Sequence, residues 1–265
     1  MLTNDYVPGA PDWIDLGSRD THAAAAFYKA LFGWEFESAG PDAGGYGMFQ
    51  LAGQTVAALG PLQDDSAKPG WTVYFESADA DATTKAVEQA GGRVRFAPMD
   101  VFDQGRLAGY TDPGGAQFAV WQPGMNKGLD RVGAGALCWT ELYTPDAAQA
   151  KRFYSSVFAW DTEDMPLPEG AASGTYTVVS RAGGGQEGSH GGIMQLGPDM
   201  LPEGTSYWQP YFAVADCDAV VAKATEQGGT VLMPGTDMAG VGRIALLKDP
   251  EGAFFALLTP AESMS

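Results

Sequence analysis

The first strongly periodic stretch lies between Asp20 and Gly33. Ala24, Phe27, Tyr28 and Leu31 recur there at i, i+3, i+4 and i+7, which puts them on one face of an α-helix. Asp20 can accept the free N–H groups at the helix start, and Gly33 suits the left-handed turn at its end. Before this helix, Trp13-Ile14-Asp15-Leu16 reads as a strand. After it the pattern predicts strands over 46–51, 55–59 and 71–76. A second helix then starts at Asp79 or Asp81, runs to Ala90 and stops at Gly91-Gly92. Strands near 93–96, 106–111 and 117–122 follow. The order is strand, helix, three strands, and then the same again.

The whole pattern then recurs. Trp13, Phe27 and Trp34 have counterparts in Trp139, Phe153 and Trp160, each 126 residues further on. A spacing of 137 connects Tyr74 to Tyr211, Asp79 to Asp216, Gly105-Arg106 to Gly242-Arg243 and Asp112 to Asp249. The second half therefore carries an insertion, placed around 165–174 and 183–189. In this half Asp146 caps a helix over 147–158, and Asp216 or Asp218 caps another that ends at Gln227. Strands are predicted over 207–214, 231–233, 243–248 and 254–259. Each half closes on a turn, Asp112-Pro113-Gly114-Gly115 or Asp249-Pro250-Glu251-Gly252, followed by an apolar strand. Asp accepts backbone N–H groups there, Pro fixes φ, and Gly tolerates φ > 0. A duplication of about 120 residues gives two domains, 8–124 and 135–261, joined by a Gly-rich linker over 125–134.

Length and composition agree with this division. The 265 residues are enough for two cores, and the 45% hydrophobic share is that of a globular protein. No apolar run is long enough to span a bilayer, and the first residues lack the pattern of a signal peptide, which predicts a cytoplasmic location. Cys138 and Cys217 fall in no metal or redox motif and read as reduced structural residues. The 33 acidic against 15 basic residues, a formal net charge of -18, argue against nucleic acid and anionic membranes as partners. The same balance favours solubility, or a cationic ligand.

The Phe-Tyr…Leu-Phe-Gly-Trp helix end, the Asp-initiated second helix ending in Gly-Gly, and Gly-Arg…Asp-Pro-x-Gly together resemble the vicinal oxygen chelate superfamily. That superfamily includes glyoxalases, bleomycin-resistance proteins, extradiol dioxygenases and fosfomycin-resistance enzymes. The resemblance covers residues from about 8 to 260 and implies an α+β fold of four βαβββ modules, forming two tandem glyoxalase-like domains with curved mixed sheets. It also implies a monomer with pseudo-twofold symmetry, since single-domain relatives pair two chains. The family's chemistry usually rests on a divalent metal held by His or Gln, His, and Glu. Here those positions fall on Trp13, Thr72 and Ala119 in one half and on Trp139, Gln209 and Ala256 in the other. One amide oxygen does not hold a divalent ion, so no metal and no cofactor are expected.

If the first of these positions faces each cavity, strand alternation turns further residues the same way. Trp13, Asp15, Tyr74, Gln117 and Trp121 are then expected in the first cavity, and Trp139, Glu141, Gln209 and Tyr211 in the second. Walls of Trp and Tyr around a carboxylate suit a planar small molecule, aromatic or cationic. The alternative is that these aromatics only fill the core, with Asp15 and Glu141 neutralised by Arg106 and Arg243. Those two arginines are also candidates for binding the ligand. His190, read as part of a Gly-rich loop, joins Asp15 and Glu141 as a candidate catalytic group. Two function classes follow. One is a metal-independent binder of a planar aromatic antibiotic or other secondary metabolite, serving sequestration, antibiotic resistance or biosynthesis. The other is an enzyme, either a glyoxalase-like lyase or isomerase or a metal-free acid–base catalyst on an aromatic natural product.

Overall fold

The computed structural model describes residues 2–62, 64, 66–167 and 175–261. Four copies of one module follow each other along the chain. The first holds β1 (Pro11–Ser18), α1 (Thr21–Phe32), β2 (Glu35–Ser38), β3 (Gly47–Leu51) and β4 (Gln54–Pro61). The second holds β5 (Gly70–Glu76), α2 (Ala80–Gln89), β6 (Arg93–Val101), β7 (Gly105–Thr111) and β8 (Gln117–Pro123). The third holds β9 (Leu137–Thr144), α3 (Ala147–Phe158), β10 (Asp161–Pro166), β11 (Thr175–Ser180) and β12 (Ser189–Gln195). The fourth holds β13 (Tyr207–Ala213), α4 (Cys217–Glu226), β14 (Thr230–Met238), β15 (Gly242–Lys248) and β16 (Phe254–Pro260). The strands form two curved mixed sheets, ordered β2-β3-β4-β1-β5-β8-β7-β6 and β10-β11-β12-β9-β13-β16-β15-β14. This is the α+β arrangement of four βαβββ modules that the resemblance implies.

The caps settle the helix starts. Asp20, Asp79, Asp146 and Asp216 each accept the N–H of the residue three further on, at 2.8–2.9 Å. Asp79 and Asp216 are therefore the N-caps of α2 and α4, and Asp81 and Asp218 are left for other partners. Gly33 closes α1 at φ 72. Three strands escape the apolar pattern. In β10 every residue is exposed, and β2 carries only Phe36 among Glu and Ser. β12 contains His190-Gly191-Gly192, so the segment expected to be a loop is a strand. Part of the expected insertion, 168–174, lies outside the described residues.

Contacts divide the chain into two compact units. One is Met1–Trp13, Val73–Gly128 and Trp139–Gln209; the other is Ile14–Thr72, Leu129–Cys138 and Pro210–Ser265. Each unit thus groups an inner or an outer pair of modules. Of the segment expected as a linker, 129–134 is part of the second unit: Leu129 is buried, and the Asp130 carboxylate accepts the Thr55 N–H at 2.8 Å.

Each unit is built on one repeated network. In the first, Trp208 Nε1 donates to Tyr154 Oη at 2.8 Å, and that hydroxyl donates to Asp112 Oδ2 at 3.0 Å. Trp160 stacks on Tyr154 at 5.0 Å. In the second, Trp71 Nε1 donates to Tyr28 Oη at 3.0 Å, Tyr28 donates to Asp249 Oδ2 at 3.1 Å, and Trp34 stacks on Tyr28 at 6.0 Å. The other oxygen of each Asp closes its turn, accepting from Ala116 N and Ala253 N. Both cysteines are free and buried, and burial pushes the Cys138 thiol up to about 12 and Cys217 to about 11.

Candidate functional site

The best-defined polar cluster lies in the first unit, on the face of β9 and β13 turned away from α3. Trp208 points to α3, where it bonds Tyr154, so alternation turns its neighbours Tyr207 and Gln209 to the opposite face. On β9 the same alternation puts Trp139, Glu141 and Tyr143 together. Tyr143 stacks on Tyr207 with centroids 5.3 Å apart. The two strands are neighbours, and their residue numbers run in opposite senses, from Ala136 bonded to Ala213 to Tyr143 stacked on Tyr207. Stepping two residues each way from that stacked pair brings Glu141 opposite Gln209.

Tyr176 completes the cluster from β11. It lies over Gly192, whose register partner is Glu141, and any side chain at Gly192 would collide with the phenol. The Tyr176 hydroxyl accepts from Trp139 Nε1 at 2.9 Å and donates to Glu141 Oε2 at 3.1 Å. Burial first and the Glu141 charge second hold the phenol well above its ordinary pKa, with the Trp139 hydrogen bond pulling the other way. Tyr207 is raised by the same two causes. Both phenols are therefore neutral at physiological pH. Trp139 and Tyr207 are half-buried and Glu141 is buried. Gln209 is 1% exposed, and neither atom of its amide has a partner among the described residues.

The structure brings Trp139, Glu141 and Tyr176 into one hydrogen-bonded chain, and leaves His190 out of it. The His190 ring packs edge-on against Trp160 at 5.0 Å and lines a small cavity with Leu2, Val7 and Ala10. Burial alone lowers its pKa to about 3, with no carboxylate contributing, so it is a neutral packed ring.

In the second unit Tyr46 donates to Asp15 Oδ2 at 3.4 Å, a looser version of the Tyr176–Glu141 pair. Tyr211 of this unit is buried, and so are Trp13, Tyr74 and Trp121 of the first unit, where Gln117 is exposed at the first position of β8, next to the turn. Trp121 Nε1 donates to Asn126 O at 3.0 Å.

The arginines take other acids than Asp15 and Glu141. Arg106 pairs with Asp100 at 2.7 Å and with Asp81 at 3.2 Å. Arg243 pairs with Asp237 and Asp218, both at 2.9 Å. Register explains the choice, because Asp100 and Asp237 stand directly across the ladder from Arg106 and Arg243.

The periodic reading missed four phenols and one acid pair. Tyr143 and Tyr207 were recoverable, being two residues from Glu141 and Gln209. Tyr46 and Tyr176 fit neither repeat spacing, so alignment of the halves gave no signal. The acid pair is Asp12 and Glu76 in the first unit, 5% and 8% exposed, with no hydrogen-bond partner among the described residues for either Asp12 oxygen or for Glu76 Oε2. Burial drives Glu76 from 4.5 up to about 7, against the pull of Lys127. Asp12 is raised well above the carboxylate range by burial first and by Glu76 second.

Residues 10–120 match the Glyoxalase/Bleomycin resistance protein/Dioxygenase superfamily, and residues 139–258 match its glyoxalase-like domain. The chain belongs to this superfamily, in two tandem copies. It is 40% identical to the anthracycline biosynthesis protein DnrV of Streptomyces peucetius, over 96% of this chain and 94% of that one. It is 38% identical to CFP32 of Mycobacterium tuberculosis, a protein provisionally named a glyoxylase, over 97% of both chains. The Mn(II)-bound glyoxalase of Novosphingobium aromaticivorans shares the fold, with a TM-score of 0.63 at 15% identity over 95% of this chain and 82% of that one.

The superfamily implies a divalent metal, and the donor set here does not fit one. The positions expected to carry its ligands hold Trp13, Thr72 and Ala119, or Trp139, Gln209 and Ala256, and both alanines are fully buried. Among the described residues no three His, Cys, Asp or Glu side chains are grouped to hold an ion. Millimolar zinc, nickel or iron should leave the thermal midpoint unchanged. A micromolar site would raise stability by about 4 kcal/mol through mass action, so a clear upward shift in a melting series would contradict this. None of the described helices is long and apolar enough to cross a membrane.

Proposed function

We propose that the protein binds a planar aromatic small molecule, of the secondary-metabolite kind, without a metal, on the face formed by Trp139, Glu141, Tyr143, Tyr176 and Tyr207. The observation that carries this reading is the Trp139–Tyr176–Glu141 hydrogen-bonded chain, which begins at the position expected for the superfamily's first metal ligand. One hydrogen bond holds the indole by its edge and does not engage its π face, and the residue is half-buried, which suits stacking. The names of two relatives support the ligand class: DnrV, and DauV of Streptomyces sp. strain C5 at 38% identity, are both called anthracycline biosynthesis proteins. An anthracycline is a planar polycyclic aromatic.

The test is titration with 1,8-dihydroxyanthraquinone, followed by quenching of tryptophan fluorescence. Trp139→Ala should weaken binding by about 1–3 kcal/mol, the range for losing a buried aromatic contact. Unchanged affinity in this variant would remove Trp139 from the site. The enzyme reading rests on Glu141, a buried carboxylate bonded to a neutral phenol. If Glu141 is a general base, Glu141→Gln keeps binding and loses turnover by roughly 10²–10⁴-fold. If it orients the ligand, affinity falls instead.

A further inference from the structure

We infer that Gln209 reads the polar edge of the ligand and selects a planar ring with a hydrogen-bond acceptor beside a donor, such as a phenolic hydroxyl next to a ring ketone. This rests on the aromatic-ligand reading above and names the chemistry that the same site prefers. Gln209 is almost fully buried, yet among the described residues neither its carbonyl nor its NH₂ has a bonding partner. A buried amide left in that state lowers stability, and native proteins satisfy such groups almost everywhere. Its place on the sheet says what would satisfy it. Trp208 holds the opposite face, so the amide lies on the face of Tyr207, across the ladder from Glu141.

The neighbouring protons are already committed, since Trp139 donates to Tyr176 and Tyr176 donates to Glu141. Gln209 supplies what that chain does not, a donor and an acceptor side by side in one plane. A hydroxy-ketone edge meets both at once, the ketone accepting from the NH₂ and the hydroxyl donating to the carbonyl. A site built this way discriminates strongly against an analogue that lacks the hydroxyl.

The experiment compares 1,8-dihydroxyanthraquinone with unsubstituted anthraquinone, on the native protein and on Gln209→Met. The native protein should bind the dihydroxy compound roughly ten- to a hundredfold more tightly, and the variant should bind the two within about threefold. The variant should melt at or above the native temperature, because an unpartnered buried amide has been removed. If it does not fold, Gln209→Glu carries the same comparison, since it keeps the size and lacks the NH₂ donor. A preference that survives in the variant overturns the assignment and makes Gln209 a residue satisfied by buried water. Equal loss for both compounds also overturns it, by showing a purely steric role. Failure of both compounds to bind the native protein overturns the aromatic-ligand reading itself, and this inference with it.

Discussion

Tyr154→Phe is expected to destabilise the first unit by about 2–4 kcal/mol while leaving its aromatic packing in place. The substitution removes one oxygen. That oxygen accepts from Trp208 Nε1 and donates to Asp112 Oδ2, and both partners lie in the core. Loss of a partner leaves each with its desolvation cost uncompensated, about 1–3 kcal/mol apiece and more for a charged group. The ring itself still stacks on Trp160 and meets Phe118 edge-on at 5.4 Å, so no cavity forms. Asp112 adds a second effect. Burial already raises its pKa, and the Tyr154 hydrogen bond is one of the interactions that lower it, so the variant should hold the proton to higher pH. Tyr28→Phe should repeat the result in the second unit through Trp71 and Asp249. Hydrogen exchange resolved by segment is the suitable measurement, because a two-unit protein need not melt in one step. Unaltered protection around 105–123 in Tyr154→Phe would mean that the network contributes nothing.

The second large effect is in the pH dependence of stability. Glu76 has its pKa raised from 4.5 to about 7, so the folded protein holds a proton that the unfolded chain releases. Its contribution is therefore fully present below pH 4.5 and is lost as pH rises towards 7, by up to about 3 kcal/mol. His190 acts in the opposite sense. Its pKa falls from 6.5 to about 3, so the unfolded chain takes up the proton and stability is lost as pH falls through that window. Between pH 4.5 and 6.5 these two slopes oppose each other, while Asp12, also raised, adds a falling slope of its own. Glu76→Gln removes one slope. Relative to the native protein, its stability should rise with pH through that window, to an excess of about 2–3 kcal/mol at pH 8. Denaturant titrations at several pH values check this, and parallel profiles for the two proteins would show that Glu76 is not the titrating group.

Much of the architecture is local and was legible along the chain. Helix faces such as Ala24, Phe27, Tyr28 and Leu31, capping aspartates and Asp-Pro-x-Gly turns each depend on residues within a turn or two. Their repetition at two spacings identified the four modules. The weak points were strands whose partners, not their own composition, hold them in place. β10 has no buried side, and in β12 Tyr176 occupies the space above Gly192 while Thr140 crowds Gly191.

The candidate site was only half legible. Alternation placed Trp139 and Glu141 on one face, since parity along one strand needs no knowledge of the rest of the fold, and Tyr176 bonds both side chains. It could not supply Tyr176, which arrives from another strand at no repeat spacing, nor the direction of His190, which a register shift between β11 and β12 accompanies. The partners of Arg106 and Arg243 likewise depended on which aspartate stood across the ladder.

The sequence by itself determined that the protein is a fourfold repeat of strand, helix and three strands, because propensity, capping and turn chemistry act over short distances. Only the tertiary structure decided which modules share a core. The Phe-Tyr helix of the third module completes the Asp turn of the second, through Tyr154 and Asp112, and that of the first completes the turn of the fourth, through Tyr28 and Asp249. A buried carboxylate needs a donor, and a phenol can reach one only where two segments distant in sequence are packed side by side.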